Sequence, residues 1–124
     1  MEHYGLTVEI RQKPGYTLIT VAGEVDIATA PLLRKRLAGP VASGKPILVD
    51  LNAVSFIDAS GLGVLASAAS RAAAHGASLH LVCARDQVRR LFIITGLDRG
   101  IPLARTVTQA CRNIATLSLE WTGV

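Results

Sequence analysis

Phe56-Ile57-Asp58-Ala59-Ser60-Gly61-Leu62-Gly63, preceded by the apolar run Ile47-Leu48-Val49-Asp50-Leu51 and followed by an alanine-rich stretch to His75, is the segment on which the fold turns. The apolar run is short, nearly continuous and flanked by helical patterns. That predicts a strand buried on both faces, as in a parallel arrangement. After Ser60, the residues Leu62, Leu65, Ala66, Ala69, Ala72 and Ala73 recur at three- and four-residue spacing, the stripe of a helix packed on that strand. Gly76 stands where a left-handed residue closes a helix.

Upstream of this unit, Leu6, Val8 and Ile10 alternate with Thr7, Glu9 and Arg11, the pattern of a half-buried strand over 6–13. Pro14-Gly15 is a turn, and Tyr16 to Ala22 returns as an antiparallel strand. Gly23-Glu24-Val25-Asp26 is expected to leave the sheet. Thr29 is expected to cap a helix, with Pro31 in its first turn and Leu33, Leu37 and Val41 on its apolar face. That helix is expected to end near Ser43-Gly44, or before Pro40.

Downstream, Ser78 to Cys83 reads as the next strand. Asp86 is expected to cap a helix carrying Val88, Leu91 and Phe92 that ends at Gly96, and Ile101 to Ala104 to form a short edge strand. Thr106 is expected to cap a last helix with the stripe Val107, Ala110, Cys111 and Ile114. The fold class is therefore α/β: one domain over residues 1–124, with a core over about 5–115 and a mixed sheet of four to five strands covered by about four helices. Residues 116–124, including Trp121, find no place in this reading.

Composition narrows the function. Half of the 124 residues are hydrophobic and 4% are aromatic, so the core is aliphatic and offers few platforms for stacking bases or sugars. Mean hydropathy is high, at +0.40, yet the longest stretch free of Asp, Glu, Lys and Arg runs only from Ala72 to Ala84. A membrane span needs about 20 apolar residues, so none is expected. The N-terminus lacks a basic flank and an apolar signal core, and a cytoplasmic location is expected. Cys83 and Cys111 read as small buried hydrophobes. Together with His3, His75 and His80 they show no zinc spacing. The net charge of +4 raises nucleic acid as a partner, but the basic residues are scattered and carry no helix-turn-helix, metal finger or aromatic interleaving. A solvated basic face fits better than direct nucleic-acid binding, and an acidic protein partner would fit the charge equally well.

Enzymatic readings of the Ser60 segment fail on spacing. No lysine follows Gly63 as a phosphate-cradling loop requires, and Gly61-Leu62-Gly63 lacks the context of a dinucleotide fingerprint. Asp58 and Leu62 occupy the positions where a hydrolase elbow has glycine. His75 and His80 stay open as bases at this level. A serine at a helix start is also an ordinary cap. Gly61 and Gly63, however, each cost about 1 kcal/mol of helix propensity relative to alanine, a composition suited to close approach by another surface. No cofactor and no metal are expected.

Val49-Asp50-Leu51 with Phe56 to Gly63 strongly resembles the central signature of STAS domains, the family of anti-sigma factor antagonists and sulfate-transporter tails. Gly23-Glu24-Val25-Asp26 resembles the family's earlier Gly-Glu-x-Asp motif, and the resemblance covers roughly residues 5–115. It implies a partner-switching protein. The unphosphorylated form binds an ATP-dependent anti-sigma factor serine kinase and frees the sigma factor. Phosphorylation at the serine matching Ser60 releases the partner, and a serine phosphatase resets the system. The resemblance also implies a partner-binding surface of Glu24, Asp26, Asp58, Ala59, Ser60, Gly61, Leu62 and Gly63. Phosphate there is expected to block docking by bulk and by repulsion, with little backbone change. Ala59 departs from the many relatives that carry a second hydroxyl before the phosphoacceptor. The alternatives are an unphosphorylated STAS scaffold in a stress-sensing or lipid-transport complex, a small hydrolase or nucleotide-binding enzyme, and a nucleic-acid binder.

Overall fold

Ile10, Ile19 and Val49 lie side by side on three neighbouring strands, and the fold is built outward from that contact. The computed structural model describes the backbone of residues 2–3 and 5–121, and the side chains of residues 5–115. Its strands are β1 (Glu2–His3), β2 (Leu6–Lys13), β3 (Tyr16–Val25), β4 (Ile47–Ile57), β5 (Leu79–Val82) and β6 (Leu103–Ala104). The helices are α1 (Ala30–Ala42), α2 (Ala59–Ala74), α3 (Asp86–Ile94) and α4 (Val107–Trp121), with a 3-10 turn at Leu97–Arg99. The six strands lie in sequence order across one sheet, the two-residue β1 adding one strand to the expected number. β1, β2 and β3 pair antiparallel, whereas β3, β4, β5 and β6 are parallel.

Parallel connections that advance in one direction and share the usual right hand place their helices on one face. Burial agrees. Leu33, Leu37 and Val41 of α1, Leu65 and Ala68 of α2, and Val88 and Phe92 of α3 share one core with Leu6, Val8, Ile19, Val21, Ile47 and Val49. α4 follows the last strand and covers the opposite face. There Ala110, Cys111 and Ile114 pack near Leu48, Val82, Ala104, Tyr16 and Leu18. Thr106 caps α4 as expected: its Oγ1 accepts from Gln109 N at 3.1 Å, and Gln109 Oε1 accepts from Arg105 N at 2.9 Å. This is a reciprocal cap.

Several boundaries differ from expectation. β3 continues through Val25 and β4 through Ile57, so Gly23-Glu24-Val25 stays in the sheet. Two register shifts between β3 and β4 explain the misreading, because Thr20 pairs with Asp50, Ala22 with Ala53, and Glu24 with Phe56. β4 thus gains two extra residues. Its buried positions step from Leu51 to Val54 to Ile57, which breaks the period of two that marks a strand. In α1, Pro40 lies inside the helix. Only the last turn follows it, so little of the hydrogen-bond ladder is lost. Asp86 is the first residue of α3 rather than its cap; the cap position is Arg85, which makes no capping side-chain bond. On α2 the buried face includes Val64 and Ala68, while Ala73 is exposed.

Candidate functional site

Val25 and Ile57 are register partners at the ends of the parallel strands β3 and β4, and Asp58 N donates to Val25 O at 3.1 Å. Asp26 follows one strand and Asp58 the other. The two motifs, some thirty residues apart in the chain, therefore meet at the carboxyl ends of neighbouring strands, where open α/β sheets place their sites.

Asp58 adopts an extended conformation and caps α2. Its Oδ1 accepts from Ser60 N at 2.9 Å and Gly61 N at 3.3 Å, which satisfies two orphan donors of the first turn. Ser60 is therefore not the cap but the second helical residue. Its half-buried side chain makes no hydrogen bond among the described residues. Gly61 is buried against the sheet: a Cβ there would come within 2.6 Å of Val25 Cγ1 and 2.7 Å of Ile57 Cγ1. Leu62 is also core. Gly63 is exposed, with nothing within 4 Å of where a Cβ would sit. Of the predicted contact segment, Ala59, Ser60 and Gly63 face outward, while Gly61 and Leu62 lie beneath them.

On β3, Gly23 has φ +104, and a Cβ would stand 1.7 Å from Gly5 O. Its lack of a side chain lets that carbonyl accept from Glu24 N at 3.2 Å. Glu24 itself is exposed. Asp26 Oδ1 accepts from Ala28 N at 2.9 Å and Thr29 N at 3.0 Å. Thr29 occupies the cap position of α1 but makes no side-chain bond to the helix. Instead Thr29 Oγ1 donates to Glu24 O at 2.9 Å and accepts from Asp26 N at 2.9 Å. Its hydroxyl thus pins the Asp26 loop to the strand end.

Sequence reasoning missed the groups that hold the bulged end of β4. Arg85 Nη1 donates to Val54 O at 2.7 Å, and Asn52 Oδ1 accepts from Ala84 N at 2.7 Å. β5 stops at Val82, so these side chains replace the ladder that a longer neighbour would supply. The three-residue spacing of Leu51, Val54 and Ile57 was the available signal.

The histidines left open as bases lie far from Ser60. His75 is at the opposite end of α2, about 22 Å along the axis at ~1.5 Å per residue. His80 pairs with Leu48 near the start of β4, about 30 Å from Ile57 at ~3.3 Å per residue. It is buried, bonds Ser78 Oγ through Nε2 at 2.9 Å, and its pKa is pushed down by burial. Burial pushes the Cys83 thiol up. Both cysteines are free, and no group of three or more His, Cys, Asp or Glu among the described residues is placed to hold a metal. No helix of the described residues is long and apolar enough to cross a membrane.

A mixed sheet whose parallel strands β3 and β4 end beside Asp26, Asp58 and a small-residue helix start defines a small α/β domain. The chain belongs to the STAS domain family, whose model matches residues 7–110. It is 34% identical to the anti-sigma-B factor antagonist of Bacillus subtilis over 99 residues, 80% of this chain and 91% of that protein. It is 30% identical to the anti-sigma-F factor antagonist RsfB of Mycobacterium tuberculosis over 110 residues, 88% of this chain and 89% of that protein. A solved anti-sigma factor antagonist from Mycobacterium paratuberculosis superposes with TM-score 0.83 at 29% identity, covering 89% of this chain and 94% of its own.

Proposed function

We propose that this chain is a cytoplasmic anti-sigma factor antagonist that binds a serine-kinase anti-sigma factor and lets go when Ser60 is phosphorylated. The observation that carries this reading is that Asp26 and Asp58 follow the paired ends of β3 and β4, with Asp58 capping the helix start that carries Ser60. The antagonist names of its relatives support it. Gly61 and Leu62 hold the helix start against the sheet, and Ala59, Ser60 and Gly63 meet the partner.

In the switch step, the γ-phosphoryl group of ATP passes to Ser60 Oγ. The new P–O bond replaces the bond to ADP, and the hydroxyl proton leaves to the kinase. A serine phosphatase restores the hydroxyl with water. The phosphate adds about −1.5 to −2 charges at a helix N-terminus, where the dipole favours it by about 0.3–1 kcal/mol. The fold tolerates the phosphate, and the interface does not.

The test is to incubate the purified chain with ATP and each kinase-type anti-sigma factor from its own genome, then read the intact mass. Gain of one phosphate, absent in Ser60→Ala, is expected. Binding to such a kinase without phosphate gain would leave an unphosphorylated scaffold. Neither binding nor phosphate with any of them would overturn the reading.

A further inference from the structure

β2 is an open edge over most of its length. β1 pairs only with Leu6 and Thr7, and among the described residues no strand lies beside residues 8–13 on that side. An edge is usually blunted by a bulge or a proline. This one has neither: its register with β3 is unbroken through Lys13, and no proline interrupts it. Which of its main-chain groups are free follows from the neighbouring bonds. Thr17 N donates to Pro46 O at the start of β4. Tyr16, Leu18 and Thr20 therefore turn their groups towards β2, where their partners are Lys13, Arg11 and Glu9. Alternation leaves Val8, Ile10 and Gln12 pointing outward. Arg36 Nη2 agrees, donating to Val8 O at 3.2 Å.

The side chains along this edge are self-complementary. Glu9 and Arg11 are exposed, carry opposite charges and pair with each other. Ile10, between them, packs against the core on the other face and is only half-buried. Set antiparallel about Ile10, a second copy of the strand places Ile10 against Ile10, Val8 against Gln12, and Glu9 against Arg11 on either side of the centre. Val8, Ile10 and Gln12 then fall on hydrogen-bonded pairs. Glu9 and Arg11 fall on the closer pairs between them, where opposite charges stabilise and like charges repel. Sliding the copy by two residues in either direction sets Glu9 against Glu9 or Arg11 against Arg11, so the charges select one register.

We propose that β2 is a self-association edge, residues 8–12 pairing antiparallel with the same residues of a second copy so that two six-stranded sheets become one. Val8 O has a second lone pair for the copy, so its bond to Arg36 persists. The two Val8 positions lie about 14 Å apart across the seam, and salt screens each Arg36 from its counterpart. The seam is separate from the Ser60 end. Ile10 pairs with Ile19, about 20 Å from Val25 at ~3.3 Å per residue, and the pairing does not depend on the phosphorylation switch. So short a contact makes a weak, reversible dimer.

Sedimentation equilibrium of the chain alone, at concentrations up to about 1 mM, tests this. Wild type should self-associate. Glu9→Arg and Arg11→Glu each turn both opposite-charge pairs into like-charge ones, and each should weaken the dimer at least about fivefold. The double variant Glu9→Arg/Arg11→Glu should regain wild-type association. So should an equimolar mixture of the two single variants, because each strand then meets its opposite. Arg34→Glu, which changes net charge as Arg11→Glu does but lies on α1, should stay within about twofold. All three positions are exposed, and circular dichroism checks that every variant is folded. A monomer at every concentration, equal weakening by Arg34→Glu and Arg11→Glu, or no recovery in the mixture would overturn the proposal.

Discussion

Gly61 and Gly63 look alike in the sequence, two glycines near the start of one helix, yet they answer to different forces. Gly61 is required by its own core, because a Cβ would overlap Val25 and Ile57 at 2.6 and 2.7 Å. Gly63 faces open space. Gly61→Ala is therefore expected to destabilise by about 1–3 kcal/mol through overpacking. Gly63→Ala is expected to stabilise by up to about 1 kcal/mol through helix propensity. Urea denaturation of both variants checks the opposite signs. A stabilised Gly61→Ala would show that Val25 and Ile57 yield more readily than their packing indicates. The identity of both positions was legible in the sequence as a cost to the helix. What demanded Gly61 and left Gly63 free was not, since Val25 lies on a strand more than thirty residues away.

At the scale of elements, one carboxylate joins β4 to α2. Asp58 closes the strand by donating its N–H to Val25 O and opens the helix by accepting from Ser60 N and Gly61 N. Asp58→Ala is expected to cost about 1 kcal/mol and to lower the melting temperature by several degrees, whereas Asp58→Asn keeps the cap and most of the stability. Thermal unfolding of the pair measures this, and equal loss in both would assign the effect to charge instead of capping. The helices were legible because their apolar stripes repeat locally. The far end of β4 was not. Its two bulges place Leu51, Val54 and Ile57 inward at intervals of three, and the side chains of Asn52 and Arg85 stand in for a missing strand.

The whole molecule buries His80, whose exposure is 1% and whose Nδ1 has no hydrogen-bond partner among the described residues. Burial lowers its pKa from the ordinary value of 6.5. Below about pH 6.5 the unfolded chain takes up a proton that the folded chain resists. His80 thus costs nothing above that pH, and stability falls as pH drops towards the lowered folded value. The urea midpoint of wild type should decline between about pH 7.5 and pH 5.5, with a shallower slope in His80→Gln. Identical slopes would place the dependence on other groups. Sequence by itself determined the order of elements, the parallel core and the two motifs, because periodicity, turn residues and capping types act over a few neighbours. Only the tertiary structure decided that Val25 lies against Ile57, that Asp58 rather than Ser60 caps α2, and that His75 and His80 stand far from the serine. Those facts depend on strand register and helix placement, which arise from contacts between residues distant in the chain.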